Sequence, residues 1–225
     1  MSPLSIDSRI RFWTQKTRAW EKYEIKEVCI VTVIEWNVRD RTGQILQNGE
    51  SSVYYPGNHL TAEIDSFLTT FDIKDPNIIL NKVHIEKEFG NFCRTHWKQL
   101  RELYDVEGFE KVDLYRGDQI EIQSVSGSNY KLNLWFCWKD VDCLWHNQHN
   151  FIEFHTSIAW DGYMQKSLDG ADLWICETVG LLPGNSHRFF NIPGEIEKNG
   201  NPKYPFHRWL WGTSGNIWLA IEKYN

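Results

Sequence analysis

The sequence of 225 residues predicts a mainly β protein, with a β-barrel in the C-terminal half and a mixed α+β region before it. From residue 112 onward, short runs rich in β-branched and aromatic residues alternate with turn residues, which is typical of an all-β domain. Before residue 110, a long predicted hairpin is mixed with segments of helical spacing. We therefore place two regions at 1–110 and 111–225, which could share strands.

The N-terminal region is predicted to contain one hairpin and three helices. Apolar residues at helical spacing predict a short helix within 6–20. Residues 23–55 alternate around the turn "RDRTGQ" and predict the long hairpin. Residues 61–71 place their apolar side chains on one helical face. A third helix is expected to begin at Pro76 and could break near Gly90.

The C-terminal region is predicted to consist of strands. The segments "GDQIEIQSV" and "YKLNLWFCW" flank the turn "SGSN" and predict a second hairpin. Residues 149–166, 172–192 and 216–224 supply further strands, with turn residues between them. Such a succession predicts a barrel or a sandwich.

Composition excludes several classes of partner. The formal net charge is −6 and no long basic run is present, which argues against nucleic acid or an anionic membrane as the main partner. The first residues lack the apolar core of a signal peptide, and no apolar run approaches the roughly 18 residues of a membrane span. Five scattered cysteines without a C-x-x-C pair are typical of reduced thiols. We expect a cytoplasmic protein.

Tryptophan is abundant, with 12 residues, of which eight lie from Trp135 to Trp218. Ordinary core and rim packing explains such residues, because indoles cover much area wherever they sit. The alternative is a pocket wall for a flat, sugar-like or cationic ligand, and some of the set could do both.

The segment 145–164 carries the most informative polar residues. Taken as a strand, it places His149, Glu153 and His155 on one face, because alternate residues share a face. His149 and Glu153 are then close enough to share a bound ion. A later segment has a turn at Pro183 and Gly184 that would present His187.

These residues resemble the two motifs of the cupin family. "HNFIE" (149–153) is similar to the H-x3-E part of the first motif. "GNSHRFFN" (184–191) is similar to the G-x2-H-x3-N part of the second, with Gly184, His187 and Asn191. The 34 positions from Glu153 to His187 equal the family's shortest separation. The resemblance covers about residues 112–225 and implies a jelly-roll β-barrel.

Several positions depart from the family pattern. Asn147 stands where the first histidine is usual, and Val141 replaces the first glycine. The closing glycine, Gly162, comes two residues late, and the proline stands at Pro183 rather than at Leu182.

The resemblance implies a metal site formed by His149, Glu153 and His187. Two histidines and one carboxylate suit non-haem Fe(II), whereas cupins with four ligands bind Mn, Zn, Ni or Fe. His155 could add a fourth ligand, and His146 could do so only with a bulge. The same polar residues could instead pair with each other as a packed cluster, or line a barrel that binds a ligand without metal.

Three further side chains are candidates for catalysis. His155 or Tyr163 could move a proton, and Tyr163 follows the Gly162 turn. Arg208, in "YPFHRWLWG", could bind a substrate carboxylate or phosphate, or could simply stack on Trp209 or Trp211 at a surface turn.

Three functions follow. The first is a metal-dependent cupin-like oxygenase or oxidase that uses Fe(II) on a small polar or aromatic metabolite. The second is a redox-neutral isomerase, epimerase or lyase that acts on a sugar or an acid with Zn, Mn or Ni. The third is a protein that binds a small molecule without catalysis. By analogy with cupins, the first hairpin could form a homodimer interface.

Overall fold

The computed structural model describes residues 4–7, 10–73, 90–103, 112–147, 149–187, 195–196, 200 and 203–224. Most of them lie in sixteen strands, so the predicted mainly β fold class is confirmed. The strands are β1 Leu4–Asp7, β2 Ile10–Thr17, β3 Lys22–Glu24, β4 Cys29–Glu35, β5 Val38–Asp40, β6 Ile45–Leu46, β7 Ser51–Tyr54, β8 His59–Ala62, β9 Ser66–Ile73, β10 Lys98–Gln99, β11 Leu114–Arg116, β12 Ile120–Gln123, β13 Asn129–Cys137, β14 Ile152–Ser167, β15 Ile175–Leu181 and β16 Phe206–Tyr224.

Helical structure is sparse within the described ranges. Residues 90–96 are helical, and a single turn follows at Leu100–Leu103. A 3₁₀ turn lies at Asp172–Trp174. The helix predicted to begin at Pro76 lies outside the described residues as far as residue 89. No helix in the described part of the chain has the length and apolarity needed to cross a bilayer.

The N-terminal half folds into two antiparallel sheets. One has the order β1-β2-β9-β4-β7, and the other β3-β8-β5-β6. A buried cluster fills the space between them. It consists of Ile25, Cys29, Val31, Val33, Val38, Leu46, Tyr54, Leu60, Ala62 and Leu68.

Two helices predicted for the N-terminal half are wrong. The segment 6–20 contains the end of β1 and the whole of β2, and the segment 61–71 contains the second half of β8 and most of β9. For the second segment the reason lies in burial: seven of the eight residues of β9 are buried, because the strand is covered on both faces. A strand covered on both faces loses its alternation, and its apolar residues then also fit helical spacing.

Both predicted turns are present. Arg39–Gln44 connects β5 to β6, and the Asp40 carboxylate accepts the backbone N–H groups of Thr42 and Gln44 at 2.8 and 3.0 Å. The first hairpin is more elaborate than predicted, because β4 pairs with β7 and β9 rather than with β5. The second hairpin joins β12 and β13 as expected, with Gly127 at φ 86° in the turn.

The C-terminal sheet has the order β10-β11-β13-β16-β14-β15, with β12 paired to β13. The pairing of the two longest strands, β14 and β16, is irregular between Ser157 and Ala159 and between Trp160 and Gly162. Beyond these irregularities the segment 142–146 pairs with the beginning of β16. The sheet therefore bends, and its two arms enclose a second apolar cluster.

A third cluster joins the two halves. It combines Ile30 and Phe71 of the N-terminal sheet with Phe136, Phe154 and Ile217 of the C-terminal sheet. β4 is buried along its whole length, because Ile30 faces this cluster and Val31 faces the N-terminal core. β10, although it precedes residue 110, joins the C-terminal sheet. The division at residue 110 remains a prediction.

Candidate metal centre

A cavity of about 590 Å³ lies between the arms of the bent C-terminal sheet. Its apolar wall includes four tryptophans: Trp135, Trp145, Trp209 and Trp218. Its polar wall consists of His146, Asn147, His149, Asn150, Glu153, His155, His207 and Glu222. A mostly apolar pocket with a few convergent polar groups is the usual form of a small-molecule site.

The beginning of β14 supplies the central carboxylate. Glu153 and His155 alternate along this strand and both face the cavity, as the sequence predicted. The Glu153 backbone N–H donates to the Tyr204 hydroxyl at 2.5 Å, which ties the strand to the chain just before β16. His149 precedes β14, and its Nε2 lies 3.5 Å from Glu153 Oε1.

The beginning of β16 supplies a histidine that the sequence motif does not include. His207 is 1% exposed, and its backbone exchanges hydrogen bonds with that of His146 at 2.9 and 3.0 Å. Its Nε2 lies 3.4 Å from Glu153 Oε1 and 3.1 Å from His149 Nε2. Glu153 therefore stands between two imidazoles that are contributed by separate segments.

Hydrogen bonds to the backbone orient two of these imidazoles. His207 Nδ1 lies 3.1 Å from the Pro205 carbonyl, and His146 Nδ1 lies 2.9 Å from the Leu144 carbonyl. A carbonyl oxygen only accepts, so each contact requires the proton on Nδ1 and leaves a lone pair on Nε2. The same second interaction fixes the tautomer of histidines that bind metals.

The geometry of this group fits a metal ion. His149 Nε2, His207 Nε2 and Glu153 Oε1 form a triangle with sides of 3.1, 3.4 and 3.5 Å. A point about 2 Å from all three atoms lies just outside their plane, and about 2.0–2.2 Å is the usual metal distance to imidazole nitrogen and carboxylate oxygen. Ligand atoms of His146, His149 and His207 also lie within 4.8 Å of one another.

His155 lies between Glu153 and His187. Its Nε2 is 3.3 Å from Glu153 Oε2, and its Nδ1 is 2.8 Å from His187 Nε2. His187, the third ligand that the family resemblance implies, thus contacts the far side of His155 rather than completing the triangle. Asn191 of the same motif lies outside the described residues, and Asn147 lines the cavity.

Burial keeps the imidazoles of His146 and His149 neutral, and the neighbouring imidazoles keep the Glu153 carboxylate ionised. Burial, together with the imidazoles of His207 and His149, lowers the pKa of His146 to about 3. Burial also lowers the pKa of His149 to about 4. Burial alone would raise the pKa of Glu153, but His149, His155 and His207 outweigh it and hold that pKa well below its usual value. Neutral imidazole and ionised carboxylate are the forms that bind metals.

A second buried carboxyl, Glu222, faces the same cavity. It is the cross-strand partner of Glu153, and it accepts hydrogen bonds from Asn133 at 2.6 Å and Tyr224 at 2.7 Å. Burial, followed by the charge of Glu153, raises the pKa of Glu222 to about 7. A carboxyl with such a pKa can exchange a proton near neutral pH.

The structure does not bring Tyr163 or Arg208 to this cluster. Tyr163 is 41% exposed on the outer face of β14, against Gly180. Arg208 follows His207 on β16 and points to the other face, where it binds Gln165, Asp142 and Asp172. Its guanidinium stacks on Trp145, with the guanidinium carbon 4.3 Å from the ring centroid. Their catalytic roles remain predictions.

Sequence reasoning missed His207 and Glu222. The signal for His207 was present, because His207 and Trp209 are alternate residues of an aromatic strand and share its inner face. We interpreted that stretch as a surface turn. Glu222 gave no such signal, since a single glutamate near a chain end is ordinarily exposed.

Known proteins give only distant matches to this chain. Neither a protein-family model nor a curated protein matches the chain. Among solved structures, a cupin 2 conserved barrel domain protein from Leptotrichia buccalis is 11% identical, with a TM-score of 0.33, over 98% of this chain and 86% of its own. Oxalate decarboxylase from Bacillus subtilis, a protein with Mn(II) centres, is 15% identical, with a TM-score of 0.36, over 98% of this chain and 70% of its own.

The first of these structures bears the name of the family that the sequence motifs resemble. At TM-scores of this size the likeness carries no argument about activity, metal or substrate. The functional conclusions below depend on the chain's own residues.

Proposed function

We propose that the cavity binds a divalent transition metal through His149, Glu153 and His207, and that the protein is a metal-dependent enzyme. One observation carries the proposal: the three ligand atoms lie 3.1–3.5 Å apart around a common point. His146 and His155 lie beside this group and could complete it with a fourth ligand.

Iron is the favoured metal. Two histidines and one carboxylate on one side of an ion are typical of non-haem Fe(II) oxygenases, because they leave positions open for other ligands. The leading function is therefore an oxygenase or oxidase that acts on a small molecule held in the cavity. Fe(II) would supply the activation of molecular oxygen.

The chain's own residues have defined tasks in this proposal. Glu153 provides the negative charge that retains the ion, and the backbone carbonyls of Pro205 and Leu144 orient His207 and His146. The tryptophans wall the cavity and limit the access of water. His155, in contact with His187, can hold or pass a proton next to the ion.

A redox-neutral reaction is the second candidate. The buried carboxyl of Glu222 and the His155–His187 pair place groups that transfer protons inside the cavity, as an isomerase or lyase requires. Zn, Mn or Ni would then polarise a carbonyl of the substrate. Full turnover under strictly anaerobic conditions would favour this function over an oxygenase.

Elemental analysis of protein purified without chelator tests the proposal. We expect about one metal ion per chain in the wild type, and its loss in His149→Ala and His207→Ala. His59→Ala is the matched control, because His59 lies on β8 in the N-terminal sheet pair. If the metal is iron, the next measurement is oxygen uptake, and Glu153→Ala should abolish that uptake. Zinc, manganese or nickel would support the redox-neutral reaction, and no metal in any preparation would contradict both.

Two broader expectations stay with this proposal. The five cysteines are thiols, four of them buried. A cytoplasmic location remains a prediction. A homodimer remains a prediction, which measurement of the molar mass in solution tests.

A further inference from the structure

Three indoles form one wall of the cavity as a continuous stack. Trp135 and Trp218 are cross-strand partners with ring centroids 6.3 Å apart and planes within 17°. Trp209 stacks on Trp218 at 4.5 Å and 11°. The bend of β16 makes this possible, because it brings two residues of one strand face to face. Such a wall offers aromatic, apolar surface against which a ligand ring can pack.

Aliphatic side chains complete the apolar part of the cavity. Leu100, Leu114, Met164 and Ala220 line it and pack into the same buried cluster as the three indoles. A planar ring can therefore lie on the indoles with aliphatic groups near it. At about 590 Å³, the cavity is of the size that holds a small molecule of one or two rings.

The charges of the cavity are negative. Glu153 and Glu222 both line it, and no lysine or arginine is among its described lining residues. Arg208 faces away, where Asp142 and Asp172 bind it. The guanidinium carbon of Arg116 lies 5.7 Å from the Trp135 ring centroid. Its positive charge offsets only part of the rise that burial and Glu153 cause in the pKa of Glu222. In the metal-free cavity, a carboxylate ligand would lose its hydration beside two carboxyl groups, with no lysine or arginine among the described lining residues to pair with it. The metal of the proposed function would supply a cation, so this exclusion applies to the metal-free cavity.

We infer that the substrate is a small aromatic molecule, and that the metal-free cavity prefers an uncharged or positively charged polar group to a carboxylate. Its ring lies on the stack of Trp135, Trp218 and Trp209, and its polar group faces His149, Glu153 and His207. The inference rests on the proposed function, because it concerns the same cavity. It adds a substrate class that the metal ligands alone do not define.

Three probes that share one ring test this inference. Titration calorimetry would measure the affinity of the full chain, metal-free and metal-loaded, for 2-phenylethylamine, 2-phenylethanol and phenylacetate. In the metal-free form, we expect the amine and the alcohol to bind at least tenfold more tightly than phenylacetate. Phenylacetate affinity equal to that of the amine in the metal-free form would overturn the inference, as would the failure of all three probes to bind.

Two pairs of variants locate the binding. Trp218→Leu should weaken all three probes roughly tenfold by removing the centre of the stack, whereas Trp174→Leu, exposed and outside the cavity, should not. Glu222→Gln should reduce the preference for the amine over phenylacetate several-fold, whereas Glu177→Gln on the outer strand β15 should leave it unchanged. If Glu222→Gln kept the preference for the amine over phenylacetate, that result would contradict the electrostatic argument of this inference.

The outcomes separate this inference from the proposed function. Probes that bind to a protein without metal would leave the substrate class standing and remove the metal chemistry. Stoichiometric metal in a protein that binds none of the probes would do the reverse.

Discussion

At the scale of single residues, the contacts of His155 determine which neighbouring side chains can bind the metal and which can only orient another residue. His155 contacts Glu153 through Nε2 and His187 through Nδ1. A residue behind a histidine fixes its tautomer and orientation, and its loss commonly costs 10–100-fold in metal affinity rather than all of it. In the proposed site, His187 is therefore the residue that orients His155, and His207 is a metal ligand.

His187→Ala tests this assignment. We expect the variant to retain metal with an affinity reduced by about 10–100-fold, because His149, Glu153 and His207 remain. His207→Ala should instead lose stoichiometric metal. The measurement is a competition titration with a metal-binding dye. Complete loss of metal in His187→Ala together with retention in His207→Ala would restore the ligand set that the sequence motif implies.

Glu222 gives the metal-free protein a specific pH dependence. Its pKa rises from an ordinary 4.5 to about 7 on folding, so the folded state binds the proton more tightly than the unfolded state does. Protonated Glu222 therefore stabilises the folded state, and this stabilisation is fully present below pH 4.5. As the pH rises through about 7 it is lost, which lowers the free energy of unfolding by about 3 kcal/mol.

Urea denaturation of wild type and Glu222→Gln across this pH range measures the effect. We expect the free energy of unfolding of the wild type to fall by about 3 kcal/mol relative to the variant. Glu177→Gln, an exposed carboxylate on β15, is the control and should follow the wild type. Parallel curves for wild type and Glu222→Gln would refute the assignment.

At the scale of elements, the bend of β14 and β16 positions the site. Gly162 follows the second irregularity of β14, and a Cβ there would approach the Trp209 ring to 2.7 Å. Across the bend, the Asp161 carboxylate accepts the Thr213 backbone N–H at 2.9 Å. The absence of a side chain at Gly162 thus lets Trp209 lie in the stack with Trp218.

Gly162→Ala should therefore disturb both stability and binding. Because Trp209 must move, we expect a loss of about 1–3 kcal/mol in the free energy of unfolding and weaker binding of 2-phenylethanol. Gly180→Ala on β15 is a matched control, since a Cβ there meets Tyr163 at an ordinary 3.7 Å. Equal stability of the two variants would show that the bend tolerates a side chain.

The same bend explains what the sequence could predict of the site. Alternation along a strand is local, so Glu153 and His155 were correctly placed on one face. His207 lies 58 positions from His149, and its approach depends on irregular pairing that leaves no periodic signal. The helix predicted at 61–71 was wrong because a strand buried on both faces, as β9 is, loses its alternation.

At the scale of the whole molecule, β4 couples the two halves. Ile30, fully buried, packs into the cluster shared with the C-terminal sheet, and Thr32 Oγ1 lies 3.1 Å from Thr156 Oγ1 of β14. β4 belongs to the buried clusters on both of its faces, so a change in the packing of one cluster should also destabilise the other. Tightly packed interiors relax only in part around such a change.

Ile30→Ala should destabilise both halves together, by about 2–5 kcal/mol. Native-state hydrogen exchange is the measurement, with amides of β9 reporting on the N-terminal half and amides of β13 on the C-terminal half. We expect both sets to lose protection by the same free energy. Loss confined to β9 would mean that the halves unfold independently, as a domain boundary near residue 110 would allow.

The pairing of His207 with Lys166, and of Glu153 with Glu222, places the two ligands at opposite ends of the same strand ladder. They meet only after the two strands have paired and the sheet has bent, so the unfolded chain has no preformed metal site. Metal would bind to the folded protein, and iron, manganese and zinc would compete for a site whose geometry is already fixed. Which ion the protein carries would then report the supply of metals where the chain matures as much as its preference.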